Sequence, residues 1–262
     1  MKKILIIGTG HMGEAILKSL SKNLNKDFYE ITILNRTLSK SIEFSNKYKC
    51  NYIKNLEEIN YSDYHFIFLG FRPVDADGVL NKINLQNHSN TIIISMLNAF
   101  KISEIEKYFE KDINVLRIMP NMNANIDKST TSYCFKAKNI HLLNEAIKIL
   151  NVFGKTYLIE EEQFASFVAL TGSAPAFIYE FIKAFKEYAF LNNYKEEISN
   201  DFIKETIIGS TMAALENSIS LDEMIKKIIV PNGPTEFGHN TLIENNFKEI
   251  LIKCFENTKS KA

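Results

Sequence analysis

Neither sign of charge is in excess: 31 Lys and Arg residues stand against 31 Asp and Glu in a chain of 262. The balance removes the usual electrostatic pointer to nucleic acid or an anionic membrane as partner. Cysteine is scarce. Cys50, Cys134 and Cys254 are far apart and odd in number, which suits reduced thiols in a cytoplasmic setting better than a disulfide frame. No metal-ligand spacing joins them to the five histidines, so no metal site is expected. No apolar run approaches the ~18 residues of a membrane span, and none is expected. The early run "ILIIG" (4–8) is too short for a signal peptide and reads as a buried first strand. What is present is ample apolar material, 45% of residues, enough for one large domain or two modest ones.

Up to residue 158 short apolar runs alternate with amphipathic stretches. Strands are expected at 3–8, 30–35, 65–70, 91–95, 114–119, 131–137 and 156–160, with helices such as 11–24 and 102–111 between them. The alternation predicts a doubly wound, mainly parallel sheet. From residue 159 to 262 the strand signals stop. Segments 162–170, 174–193, 200–219, 221–229 and 241–258 carry helical spacing of apolar residues. Residues 175–191 are too apolar for a lone surface helix. They read as a central core helix, a subunit interface, or both.

The first strand runs into "GTGHMG", which supplies Gly8, Gly10 and Gly13 and opens a helix. In that context the glycines permit a tight turn, close approach of a pyrophosphate, and close helix–strand packing. The helix N-terminus adds free N–H groups and positive dipole. Thr9, His11 and Met12 belong to the same loop. About 22 residues after Gly13, where an NAD site carries an acid, the sequence reads Asn35-Arg36-Thr37. Arg36 suits a 2′-phosphate, and Asn35 and Thr37 are expected to donate further bonds. The reading is NADP(H), with NAD(H) as the alternative. The competing readings are a ligand-free glycine turn and a solvated Arg36.

Together with "RIMPNMNA" (117–124) and "LTGSAPAFIYEF" (170–181), these residues resemble the pyrroline-5-carboxylate reductase family. That family carries a glycine loop, "NRT", a "KP" turn, "MPN", "GSGPA" and "SPGGTT" in order. Here they read "GTGHMG", "NRT", Arg72-Pro73, Met119-Pro120-Asn121, "GSAPA" (172–176) and "VPNGPT" (230–235). The resemblance implies a Rossmann domain followed by a helical dimerisation domain, a homodimer or an oligomer of dimers, and a site where one subunit's nucleotide domain meets its partner's helices. It implies NADPH-dependent reduction of the C=N bond of 1-pyrroline-5-carboxylate to L-proline. It assigns Gly70, Arg72, Pro73 and Asn121 to the cofactor, and Met119, Gly172, Val230, Gly233, Pro234 and Thr235 to the substrate. Ser173 and Thr235 are the groups placed nearest the chemistry. Ser173 also reads as a helix N-cap, and Asn121 as a loop cap.

The departures are local. The family's "AAG" is Leu97-Asn98-Ala99, and Ala174 replaces the middle glycine of "GSGPA". In the last motif Val230 has no hydroxyl and Pro234 has no N–H. A hydrogen bond to a charged group contributes roughly 1.5–3 kcal/mol, so losing two without replacement would cost about 3–6 kcal/mol. Three outcomes stay open: a carboxylate held differently, another cyclic imine or ketone as substrate, or a catalytically impaired NADPH-binding dimer.

Overall fold

The computed structural model describes residues 1–85, 89–109, 113–216 and 218–262. The chain divides into two compact units, Met1–Ser173 with Lys259–Ala262, and Ala174–Thr258.

The first unit is built on one eight-stranded sheet in the order β3-β2-β1-β4-β5-β6-β7-β8. The strands are β1 (Lys2–Ile7), β2 (Tyr29–Leu34), β3 (Asn51–Tyr52), β4 (Phe66–Leu69), β5 (Ile92–Ser95), β6 (Asn114–Met119), β7 (Ser129–Lys136) and β8 (Gly154–Leu158). All neighbours pair in parallel except β6 and β7. The seven expected strands are present, and β3 is an addition. Its two residues are exposed, so no apolar run announces it.

Strand residues of opposite parity feed opposite cores, as a period-2 pleat requires. Ile4, Ile6, Phe66, Phe68, Ile92 and Ile94 pack with α1 (His11–Asn23), α2 (Leu38–Tyr48) and α5 (Ile140–Leu150). Leu5, Ile7, Ile67, Leu69 and Ile93 pack with α3 (Ala76–Leu80), α4 (Ile102–Glu106) and the buried Tyr61 and Tyr64. Helix α4 ends at Glu106. The far end of the expected helix 102–111 falls at Glu110 and Lys111, outside the described residues. After β8 comes α6 (Phe164–Phe167), then a wide π-helical stretch, Val168–Ser173.

Asp127 closes the turn before β7 in a left-handed conformation. It accepts from Ser19 Oγ (2.5 Å) and Lys22 Nζ (2.7 Å) on α1. The Lys22 ammonium and the Ser19 hydroxyl lower its carboxyl to about 2.

The second unit comprises α7 (Ala174–Leu191), α8 (Glu196–Glu216), α9 (Leu221–Ile228), α10 (Pro234–Glu244) and α11, which runs from Phe247 to Lys259. The expected helix 200–219 contains Asn217, which lies outside the described residues. The expected helix 241–258 is interrupted, because Asn246 adopts φ 54° and separates α10 from α11. Phe177 and Phe255 bring α7 and α11 together, ring centroids 5.9 Å apart. Along α7 only Ala174 and Ala189 are buried, while Ile178, Tyr179, Phe181, Tyr188 and Phe190 are exposed. The core-helix reading of 175–191 is therefore not met within one chain. The helical run Glu161–Leu191 is long and apolar enough to cross a membrane by length and composition, which corrects the expectation that no such stretch exists. Helical continuity across the loop-like "EEEQ" and "LTGS" segments makes it so.

Ala99 stands where the family's glycine would, and adopts φ 53°. A left-handed alanine costs about 1–2 kcal/mol. Ala99→Gly is expected to raise stability by about 0.5–1 kcal/mol, the extra chain entropy of glycine offsetting part of the gain; calorimetry reads this as a higher Tm. A second expectation concerns Asp127. Its folded pKa is depressed, so its contribution is present above the unfolded value near about 4 and is lost as pH falls toward about 2. Asp127→Asn should destabilise by about 1 kcal/mol near neutrality, a modest figure because Lys22 is largely solvated. In urea titrations at stepped pH the gap to wild type should close over that acid window.

Candidate functional site: a glycine-loop crevice and a proline turn

Strands β1 and β4 are neighbours whose outgoing helices diverge, which makes a crevice at their carboxyl ends. Three glycines are packed there. A Cβ on Gly13 would lie 2.4 Å from the Gly8 carbonyl oxygen, and one on Gly70 would lie equally close to it. Gly8 itself has φ 89° and faces the Gly70 backbone. These three are required by the fold. Gly10 differs: a Cβ there would meet nothing within 4 Å. The protein itself does not demand this glycine, and the open face is what close approach of a phosphate needs.

The crevice opens into a cleft of about 590 Å³ lined by Thr9, Gly10, Arg36, Lys40, Arg72 and Asp75, among others. Arg36, Thr37, Arg72 and Pro73 are exposed, as are Gly10 and His11. Met12 packs partly buried against the core.

Asn35 is placed otherwise than expected. Its Oδ1 accepts from Thr9 N (2.7 Å) and Thr9 Oγ1 (2.8 Å), and its Nδ2 donates to Ser41 Oγ (3.2 Å). It is buried. The side chain clamps the glycine loop to the start of α2, so its oxygen and one amide hydrogen serve the fold. The end of β2 carries no acid, as expected, but a carboxylate reaches Arg36 from the turn after β4. Asp75, after β4, lies 3.8 Å from Arg36 Nη1 and 3.2 Å from Arg72 Nε.

Met119 ends β6 at the carboxyl edge of the sheet, and Pro120 and Asn121 follow it into the next turn. Asn121 is buried, accepts from Asn123 N (3.2 Å) and donates Nδ2 to the Thr171 carbonyl (3.0 Å). This joins the Met-Pro-Asn turn to the Leu-Thr-Gly-Ser stretch. Thr171, Gly172 and Ser173 lie in the π-helical segment, where wide turns free carbonyls for such bonds. Ser173 continues into α7 instead of starting a helix, so the N-cap expectation is corrected. Beneath this corner the buried Arg117 donates to Glu161 Oε1 (2.9 Å), which also accepts from Ile102 N (2.9 Å). Arg117 was read only as part of a motif; its burial in a strand was the missed signal.

In the helical unit, "VPNGPT" forms a tight turn into α10. Asn232 takes the left-handed conformation at φ 59°, the best non-glycine choice there. Pro234 sits at the first helical position, where its fixed φ favours the start. Val230, Pro234 and Thr235 are exposed, and Gly233 is half-buried. The Gly233 N–H donates to the Val230 carbonyl (2.8 Å), so it is not free for a ligand, contrary to expectation. The Asn232 N–H donates to Glu236 Oε2 (2.7 Å). A carboxylate of the chain itself therefore occupies the turn.

Comparison with known proteins follows the same division. Residues 161–262 match the model "Pyrroline-5-carboxylate reductase dimerisation", and residues 3–99 match "NADP oxidoreductase coenzyme F420-dependent". The chain is similar to pyrroline-5-carboxylate reductase 2 of Bacillus subtilis, 29% identical over 266 aligned positions that cover all of this chain and 94% of the relative. Its fold resembles the 1-pyrroline-5-carboxylate reductase of Streptococcus pyogenes with a TM-score of 0.89 at 28% identity, covering 99% of this chain and 97% of the other. The fold of a Plasmodium falciparum pyrroline carboxylate reductase, solved with NADP bound, gives 0.84 at 23% identity, with coverage of 99% and 96%. The C-terminal part thus matches the dimerisation model of pyrroline-5-carboxylate reductases, and the whole chain is similar to members of that family in length, sequence and fold.

Proposed function

We propose that the protein reduces the C=N bond of 1-pyrroline-5-carboxylate to L-proline, preferring NADPH and working as a cytoplasmic homodimer. The observation that carries this reading is the full-length likeness to pyrroline-5-carboxylate reductases, with the dinucleotide crevice intact. A bound reduced nicotinamide supplies the hydride. The chain's own task is placement: the open face at Gly10 and the α1 N-terminus receive the pyrophosphate, and Arg36, Lys40 and Arg72 face the phosphate-bearing ribose. A protonated cyclic imine is already a strong electrophile. Positioning then carries most of the barrier reduction, and no strong acid is needed. Met119 and Asn121 bear on the nicotinamide side, and Gly172, Ser173 and Thr235 on the substrate. The exposed apolar side chains of α7 are the surface that self-association covers.

A second reading, an imine without a carboxylate, is favoured by one observation. Glu236 already takes the Asn232 N–H, while Val230 brings no hydroxyl and Pro234 no N–H to the turn. Under the first reading, steady-state assays show NADPH oxidation with pyrroline-5-carboxylate exceeding that with 1-pyrroline. The reverse order would establish the second. Val230→Ser with Pro234→Thr separates them further. A merely weakened clamp predicts a rise in kcat/KM for the carboxylate substrate of about tenfold or more, and a rebuilt turn predicts none.

The cofactor crevice is tested by a pair of glycine variants. Gly13→Ala forces a Cβ onto the Gly8 carbonyl and should destabilise by about 1–3 kcal/mol. Gly10→Ala should change stability by less than about 1 kcal/mol while weakening NADPH binding at least about tenfold. Equal effects of Gly10→Ala on stability and binding would count against a phosphate at that position.

A further inference from the structure

We infer that Asp75 sets the balance between NADPH and NADH in this cleft, an assignment that rests on the dinucleotide reading above. The end of β2 offers no acid to a ribose hydroxyl: its residues are Asn35, Arg36 and Thr37, and the Asn35 amide is bonded inside the fold. Asp75 brings a carboxylate to the same place from the turn after β4. It stands 3.8 Å from Arg36 Nη1 and 3.2 Å from Arg72 Nε, and all three line one cleft with Thr9 and Gly10.

The three side chains are not equally anchored. The Arg36 and Arg72 side chains are 84% and 70% exposed, against 32% for Asp75. The carboxylate is the more buried member, and the guanidinium groups reach it from the solvent side. Its side chain makes no capping bond to α3, so its contacts in this structure are with these two arginines.

Asp75 therefore acts on the two cofactors in opposite directions. A 2′-phosphate must draw Arg36 away from Asp75 and sit near a like charge. A 2′-hydroxyl meets neither cost and finds an acceptor for its hydrogen, the role an acid at the end of β2 plays in NAD sites. The acid of an NAD site and the arginine of an NADP site coexist here, held apart by less than 4 Å. A like charge within several ångströms of a bound phosphate, with solvent access, changes affinity by about tenfold.

The test is direct binding to the full-length protein, followed by nicotinamide fluorescence at low ionic strength with NADPH and NADH. Asp75→Asn should tighten NADPH and loosen NADH, shifting the ratio of dissociation constants toward NADPH by about tenfold or more. Asp75→Glu keeps the charge and should hold the ratio within about twofold. Thermal melts of both variants guard against a folding defect. An unchanged ratio in Asp75→Asn, or weaker NADPH binding because Arg36 loses its support, would overturn the assignment while leaving the cofactor reading intact. A wild-type protein that binds neither nucleotide would overturn both.

Discussion

The Gly8 carbonyl is the point on which the nucleotide-binding half turns. Helix α1 and strand β4 both approach it so closely that a single Cβ, on Gly13 or Gly70, would collide with it. This three-glycine junction sets the angle at which α1 leaves the sheet, and so where its free N–H groups point. It also holds the ends of β1 and β4 side by side where the chain diverges toward β2 and toward β5. The crevice at this switch point follows from the packing. Gly10, one turn away, is free of the constraint, and its open face is left over for a ligand.

Rigidity around the crevice comes from buried polar side chains. Asn35 satisfies both donors of Thr9 and holds the loop against α2. Asn121 ties the end of β6 to the π-helical stretch, and the Arg117–Glu161 pair ties β6 to the start of α4 and to the segment before α6. A buried ion pair stabilises little net of its desolvation, but removing one partner leaves an uncompensated charge costing about 3–5 kcal/mol. Such a pair therefore fixes geometry more than it adds stability. Phe164 lies over the Arg117 guanidinium at 4.3 Å, a further restraint on its plane.

Much of this was legible in the sequence. The central strands announced themselves as apolar runs because the middle of a doubly covered sheet buries both faces. The glycine loop was legible because its context, strand before and helix after, is local. What was hidden is non-local or aperiodic. The two exposed residues of β3 carry no apolar signal. The π-helical Val168–Ser173 has the composition of an ordinary helix start, which is why Ser173 looked like a cap. Asn35 looked like a ligand donor because its partners, Thr9 and Ser41, come from other elements. Asp75 lies some forty residues beyond Arg36 in the chain, and only the β1–β4 pairing brings it to the cleft.

The carboxylates of Asp75 and Glu236 have something in common. Cations and N–H groups grouped at one place attract an anion, and here the partner within the chain is a carboxylate of its own, worth little at such exposed positions but present where a ligand would arrive. The chain supplies its own carboxylates: Asp75 to Arg36 and Arg72, and Glu236 to the Asn232 N–H. On the proposed function a ligand phosphate or carboxylate binds by exchange, and its affinity is the difference between its contacts and those it displaces. Such a site discriminates through the displaced group as much as through the arriving one, because a neutral hydroxyl has nothing to displace. On this argument a count of donors in "VPNGPT" or in "NRT" underdetermines specificity. The acid that answers each donor set has to be counted with it, and in both places that acid lies outside the motif.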